Sequence, residues 1–170
     1  MKNSQVLNLP PSGSSLLISG CLIGLQCNYA GTCAAAYRDK PDVWNSLSKH
    51  YNLIPICPEQ LGGMTTPRLP SELLGGAEAV FDRKAKVISV EGDDVSDSFI
   101  KGAFEALHLA KFFDAKFAIL KSKSPSCGKY KRYDGTFSKT LVDGSGMAAY
   151  LLMKNGVAVI TEREYLSLIK

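Results

Sequence analysis

Four short runs along the chain are almost purely aliphatic: SLLISG at 15–20, NLIPIC at 52–57, FAIL at 117–120 and VAVI at 157–160. Each has strand length, and the apolar positions are nearly continuous rather than alternating, as in strands covered on both faces of a parallel sheet. Between them the spacing turns helical. Asp42, after Pro41, opens DVWNSLSKHY, in which Val43, Leu47, Trp44 and Tyr51 can face a sheet. Asp94 or Ser96 can cap a longer stretch reaching Phe113, where Phe99, Ala103, Leu107 and Ala110 recur at helical spacing and read as core. GMAAYLLMKNG ends in Asn155-Gly156, a helix stop leading straight into VAVI, and EREYLSLIK predicts a closing helix. AVFDRKAKVISV breaks the rhythm and predicts a small β-hairpin turning near Arg83 and Lys84 at a sheet edge. The alternation predicts an α/β fold of three layers around a mostly parallel, open, Rossmann-like sheet with right-handed crossovers.

Length and composition fit this picture. A chain of 170 residues with 45% hydrophobic and 21% charged residues suits one globular domain, placed at 15–170 behind a flexible or loosely docked leader at 1–14. The leader, MKNSQVLNLPPSGS, lacks the roughly 7 to 15 apolar residues of a secretory signal, and no run approaches the ~20 residues of a membrane span. A cytoplasmic protein without membrane contact is the expectation. The formal charge is +4, and Lys116, Lys121, Lys123, Lys129, Lys131 and Arg132 meet no acid between Ala115 and Tyr133. Such a run serves either as a solvated basic edge or as a phosphate contact.

The cysteines bring in chemistry. Cys21 follows the first strand, Cys57 ends the second, and Cys127 lies in the loop after FAIL, in KSKSPSCGKY. Open α/β sheets bind ligands at the carboxyl ends of their strands, so three thiols far apart in sequence converge on one rim. Disulfides are disfavoured by an odd total of five cysteines with no export signal. Inert buried thiols remain an alternative, because cysteine is often simply core. Zinc sites favour four ligands in short paired spacings, whereas Cys21, Cys27 and Cys33 stand six apart. Three thiolates from three loops suit an iron-sulfur cluster with one iron left open. A metal-free nucleophilic Cys127 lacks a histidine partner, since His50 and His108 fall in predicted helices away from the rim. Near the thiols, Glu59 offers a general base or a capping acid, and Ser124 and Ser126 are hydrogen-bond donors or turn formers.

The segments ISGCLIGLQCNYAG, PICPEQLGGMTTPRLPSE, EGDDVSDSFIKGA, AILKSKSPSCGKYKRYDGTFS and DGSGMAAYLLMKNGVAVITE resemble, in order, those of the family once called domain of unknown function 523, some of whose members are thiouracil desulfidases. The resemblance spans about Leu17 to Glu162. It implies a 4Fe-4S cluster held by Cys21, Cys57 and Cys127, with one open iron that takes sulfur from a thiolated pyrimidine. Cys27 is then a reserve ligand or redox thiol, and Cys33 is structural. On the same basis Glu59 activates water, Ser124 or Ser126 steadies developing charge, and Arg68 contacts a carbonyl or carboxylate of the ligand or serves as a loop strut. Lys121 and Lys123 would receive a ribose phosphate if the substrate is a nucleotide or thiolated RNA rather than a free base. The chain departs from the family at NYAG, where RYDG is usual, losing a charge pair beside the first cysteines. The competing reading is a non-catalytic module that binds or senses a cluster or metal.

Overall fold

The structure, a computed structural model, describes residues 9–169. In chain order its strands are β1 (Ser15–Ser19), β2 (Asn52–Ile56), β3 (Ser71–Leu74), β4 (Lys86–Ser89), β5 (Phe117–Leu120), β6 (Lys131–Tyr133), β7 (Leu141–Asp143) and β8 (Ala158–Thr161). The helices are α1 (Ala35–Asp39), α2 (Pro41–Leu47), α3 (Pro58–Leu61), α4 (Ala77–Phe81), α5 (Ser96–Phe112), α6 (Met147–Lys154) and α7 (Glu162–Leu168), with a 3-10 turn at Gly20–Ile23.

The four aliphatic runs form one parallel sheet in the spatial order β2-β1-β5-β8. From β1 the chain passes to β2 on one side and returns to β5 on the other. The order therefore reverses between β1 and β5, and the carboxyl ends of these strands frame the crevice where such sheets bind ligands. Alternation of side chains divides the core in two. Leu17, Ala118, Leu120 and Val159 point to the face covered by α5 and α6, while Leu16, Ile18, Phe117, Ile119 and Ile160 meet Trp44, Leu47 and Tyr165 of α2 and α7. Both faces are covered, giving the three layers expected from the sequence.

The hairpin exists but takes a different first strand. Lys86–Ser89 pairs antiparallel with Ser71–Leu74, whereas Ala77–Phe81 is helical and Arg83, at φ 62, makes the turn into β4. Ala77 and Val80 are both buried, and their separation of three residues suits a helical turn against the core rather than an extended arm. A second two-stranded pair, β6 with β7, follows the β5 loop.

Close backbone packing places α3. A side chain on Gly102 of α5 would put its Cβ 1.8 Å from the Pro58 carbonyl oxygen, and one on Gly62 would lie 2.0 Å from that of Ser98. The two helices touch backbone to backbone, so α3 and the residues at its start are fixed against the core. Residues 1–8 of the expected leader lie outside the described residues; at 9–14, the His50 carbonyl accepts from Gly13 N at 2.6 Å and the Pro10 carbonyl from Tyr51 Oη at 3.2 Å. Among the described residues no helix is long and apolar enough to cross a membrane.

Candidate thiol-lined active site

Each of the three rim cysteines is delivered by a local device. Cys21 sits in the 3-10 turn that follows β1, closed by Gly24 at φ 95, and its carbonyl accepts from Ala34 N at 2.9 Å. Cys57 caps α3, with Pro58 at the first helical position, where its missing N–H costs nothing. Cys127 rides on a tight turn in which Ser124 Oγ accepts from the backbone of Ser126 and Cys127, both at 3.1 Å. The open first turn of α6 secures this loop from one side. Met147 N donates to the Pro125 carbonyl, and Ala148 N and Ala149 N donate to that of Ser126, satisfying donors that a helix start leaves free.

The start of α7 holds the same loop at both ends. Buried Glu162 accepts from Ser122 N and Ser122 Oγ, each at 2.6 Å, and pairs with Lys121 Nζ at 3.0 Å. Glu164 accepts from Tyr130 Oη at 2.8 Å, pairs with Lys129 Nζ at 3.3 Å, and completes a capping box with Thr161. Lys121 and Lys129 of the basic run are thus neutralised by acids distant in sequence. Lys116 pairs with Asp114, Lys131 with Asp143, and buried Arg132 donates to the Leu73 and Tyr133 carbonyls. Lys123 has no carboxylate partner among the described residues.

These loops enclose a cavity of about 560 Å³. Cys21, Cys57, Cys127, Glu59, Arg68, Lys121, Lys123, Ser124 and Ser126, all singled out in the sequence, line it. Cys27 lines it too, and its carbonyl accepts from Cys57 Sγ at 3.3 Å, so it belongs to the constellation with the other three. Cys33 does not line the cavity, and its carbonyl accepts from Arg38 at 2.8 Å. Residues the sequence did not flag complete the wall: Tyr133 at the end of β6, Phe137 and Lys139 of the loop before β7, and Glu72 of β3.

Arg68 spends its guanidinium inside the protein. Nε donates to Glu59, and one terminal nitrogen donates to the Cys27 carbonyl at 3.1 Å and approaches Cys57 Sγ at 3.7 Å. The other donates to Thr66 Oγ1 at 3.1 Å and the Thr65 carbonyl at 3.3 Å. Its side chain is 5% exposed and that of Glu59 12%. Glu59 also accepts from Ser126 Oγ at 3.2 Å, which connects the α3 and Cys127 loops. The strut alternative for Arg68 matches these contacts.

The thiols of Cys27, Cys57 and Cys127 are held protonated by their surroundings. Burial raises Cys127 to about 12, with the nearby charges of Cys57 and Glu59 adding to it and the hydroxyls of Ser19 and Ser124 opposing. The contact with Cys21 raises Cys27 to about 11, and the contact with Cys27, then burial, raises Cys57 further. Such thiols are poor free nucleophiles at neutral pH. They suit ligands whose protons are displaced when a metal binds. Among the described residues no three His, Cys, Asp or Glu side chains are gathered around a single ion position. The donor set is soft, comes from separate loops and surrounds a cavity, which fits a multi-iron group better than one ion.

A family model described as 2-thiouracil desulfurase matches residues 16–164. The uncharacterized protein YbbK of Bacillus subtilis (strain 168) is 41% identical over 150 residues, covering 88% of this chain and 96% of that protein. The solved structure of a 4Fe-4S-dependent thiouracil desulfidase, TudS, is similar with a TM-score of 0.77 and 31% identity, over 92% of this chain and 95% of that one.

Proposed function

Because the chain belongs to the 2-thiouracil desulfurase family, we propose that its cavity removes sulfur from a thiolated pyrimidine by water attack, using a 4Fe-4S cluster bound by Cys21, Cys57 and Cys127. The observation that carries this reading is that thiols from three distant segments and the Glu59 carboxylate line one cavity at the point where the strand order reverses. When bound, the cluster supplies a Lewis-acidic open iron for the thiocarbonyl sulfur. Support for the cofactor comes from the soft donor set and from the 4Fe-4S dependence of the similar desulfidase.

The chain's own groups do the rest. Glu59 accepts a proton from the water that attacks the ring carbon bearing sulfur. Arg68 holds one carboxylate oxygen and Ser126 the other, so the base keeps a fixed orientation. The same guanidinium places positive charge beside Cys57, favouring its thiolate once the proton leaves. Ser124 Oγ accepts from Cys127 N and so fixes the turn that presents the Cys127 thiol to the cavity. The reaction replaces C=S by C=O, consumes one water and releases hydrogen sulfide, so it requires no external oxidant or reductant.

A nucleotide form of the substrate would find Lys123 in the cavity wall without a carboxylate partner among the described residues, whereas Lys121 is shared with Glu162. Anaerobic reconstitution followed by incubation with 2-thiouracil tests the proposal: loss of thiouracil absorbance with stoichiometric sulfide is expected. A bound cluster without sulfide release from any thiolated base, nucleoside, nucleotide or RNA would instead favour a binding or sensing module.

A further inference from the structure

One wall of the cavity has no part in the chemistry above. It is the loop at 134–140 between β6 and β7, DGTFSKT, which contributes Phe137 and Lys139. Phe137 has φ 56 and Lys139 φ 61, so two non-glycine residues within three positions occupy the left-handed region. For a bulky side chain this is an uncommon conformation, and strain of this kind persists only where the surroundings impose it. Here they do. Glu72, 8% exposed, accepts from Gly135 N at 2.9 Å and Phe137 N at 3.1 Å. Gly135, at φ 94, approaches β3 so closely that a Cβ would lie 2.6 Å from Leu74 Cδ2 and 2.9 Å from the Leu73 carbonyl oxygen. Asp134 Oδ1 accepts from Thr136 N and Oγ1, and the hydroxyls of Thr136, Ser138 and Thr140 continue the chain of bonds.

The ring that this framework holds is not core. Phe137 is half-buried and belongs to neither hydrophobic cluster, yet it lines the cavity shared with the cysteines. A strained backbone, a buried carboxylate and a close glycine contact together present one apolar ring to the site. A phenyl group offers a ligand no hydrogen bond, only its π face. A planar heteroaromatic ring is the ligand that uses such a face, and stacking of this sort tolerates differences among bases.

We propose that Phe137 is the stacking surface for the substrate's pyrimidine ring and that Glu72 is the positioning residue that holds it there. This rests on the reading of the cavity as a thiolated-pyrimidine site and adds the element that recognises the ring rather than the sulfur. Lewis-acid chemistry alone would accept any thiocarbonyl, so Phe137 makes the site selective for flat ones.

Uracil, which has the ring but no sulfur, is the probe that separates the two ideas. Calorimetry on the cluster-loaded protein should give uracil affinity that falls on the order of tenfold or more in Phe137→Leu and is retained in Phe137→Trp. Leu keeps the apolar volume and tests for loss of the π face, and a thermal melt confirms folding. Glu72→Ala should raise KM for 2-thiouracil by a similar factor with kcat within about twofold, and Glu72→Gln, which keeps an acceptor, should restore it. Phe137→Leu binding uracil as tightly as wild type would overturn the stacking assignment even if sulfide release is normal. Wild type that binds uracil through Phe137 but releases no sulfide would overturn the desulfidase reading and leave the stacking assignment standing. Wild type that binds neither uracil nor 2-thiouracil at millimolar concentration would overturn both.

Discussion

Gly102→Ala sets two effects of known size against each other. In an exposed helix interior the change stabilises by about 1 kcal/mol, because alanine loses less backbone entropy than glycine. Gly102 lies inside α5, but its ideal Cβ would meet the Pro58 carbonyl oxygen at 1.8 Å and carbonyl carbon at 2.7 Å. Both are backbone atoms and cannot rotate aside. Ordinary contact begins at 3.4 Å, so α3 and α5 must part by about 1.6 Å along that line. Overpacking of this severity costs at least the ~1–3 kcal/mol of ordinary core insertions, which outweighs the propensity gain. A net loss of roughly 1–2 kcal/mol should lower Tm by about 2–4 °C per kcal/mol in a chain of this size. The functional effect should be larger. Cys57 caps α3 and Glu59 lies in its first turn, and a misplacement of ~1 Å can cost about 100-fold in rate. The assay is a melt and a sulfide-release rate on reconstituted wild type and variant. A variant that melts higher and turns over normally would refute the backbone contact as the device that places Cys57 and Glu59.

Glu59→Gln should retain iron and stop sulfide release by a factor on the order of 100 or more, and full activity would remove it as the base. Lys123→Glu should raise KM for a thiolated nucleotide about tenfold while affecting the free base far less, and equal effects on both would deny it a phosphate contact. Burial works against the Glu164 carboxylate, but the Thr161 backbone, the hydroxyls of Tyr130 and Thr161 and the charge of Lys129 more than offset it, holding its pKa below 4.5. That stabilisation is complete above the unfolded value and is lost as pH falls through the folded one. Wild type should therefore lose Tm on acidification below pH 4.5 more steeply than Glu164→Gln, and parallel curves would contradict this. Thr161→Ala, which removes the same cap, should cost about 1 kcal/mol at neutral pH.

The central sheet was legible because its strands are covered on both faces: SLLIS and FAIL can be little else when every neighbouring segment is amphipathic or polar. The long stripe from Phe99 to Ala110 identified α5 for the same reason. β3, β6 and β7 were not legible. SELL, KRY and LVD carry charges and only three or four residues, and their pairing is set by tertiary contacts such as Arg132 to the Leu73 carbonyl. In the site, Cys21, Cys57 and Cys127 could be brought together in advance because each follows a parallel strand. Local charge counting misled at Lys121 and Lys129, whose acids lie 41 and 35 residues away at the start of α7. The T-x-x-E pattern at Thr161 and Glu164 was a visible signal for that helix start, though not for its grip on the Cys127 loop. Nothing local marks Arg68 as the partner of Glu59, since the intervening loop must first fold back on α3.

Iron content after anaerobic reconstitution tests the shared cluster most directly. Wild type and Cys33→Ala should each bind about four irons per chain, while Cys21→Ala, Cys57→Ala and Cys127→Ala should each fail to retain them. Wild-type iron in any of those three variants would contradict the assignment of that cysteine, and wild-type iron in all three would end the account of the cavity as a cluster site.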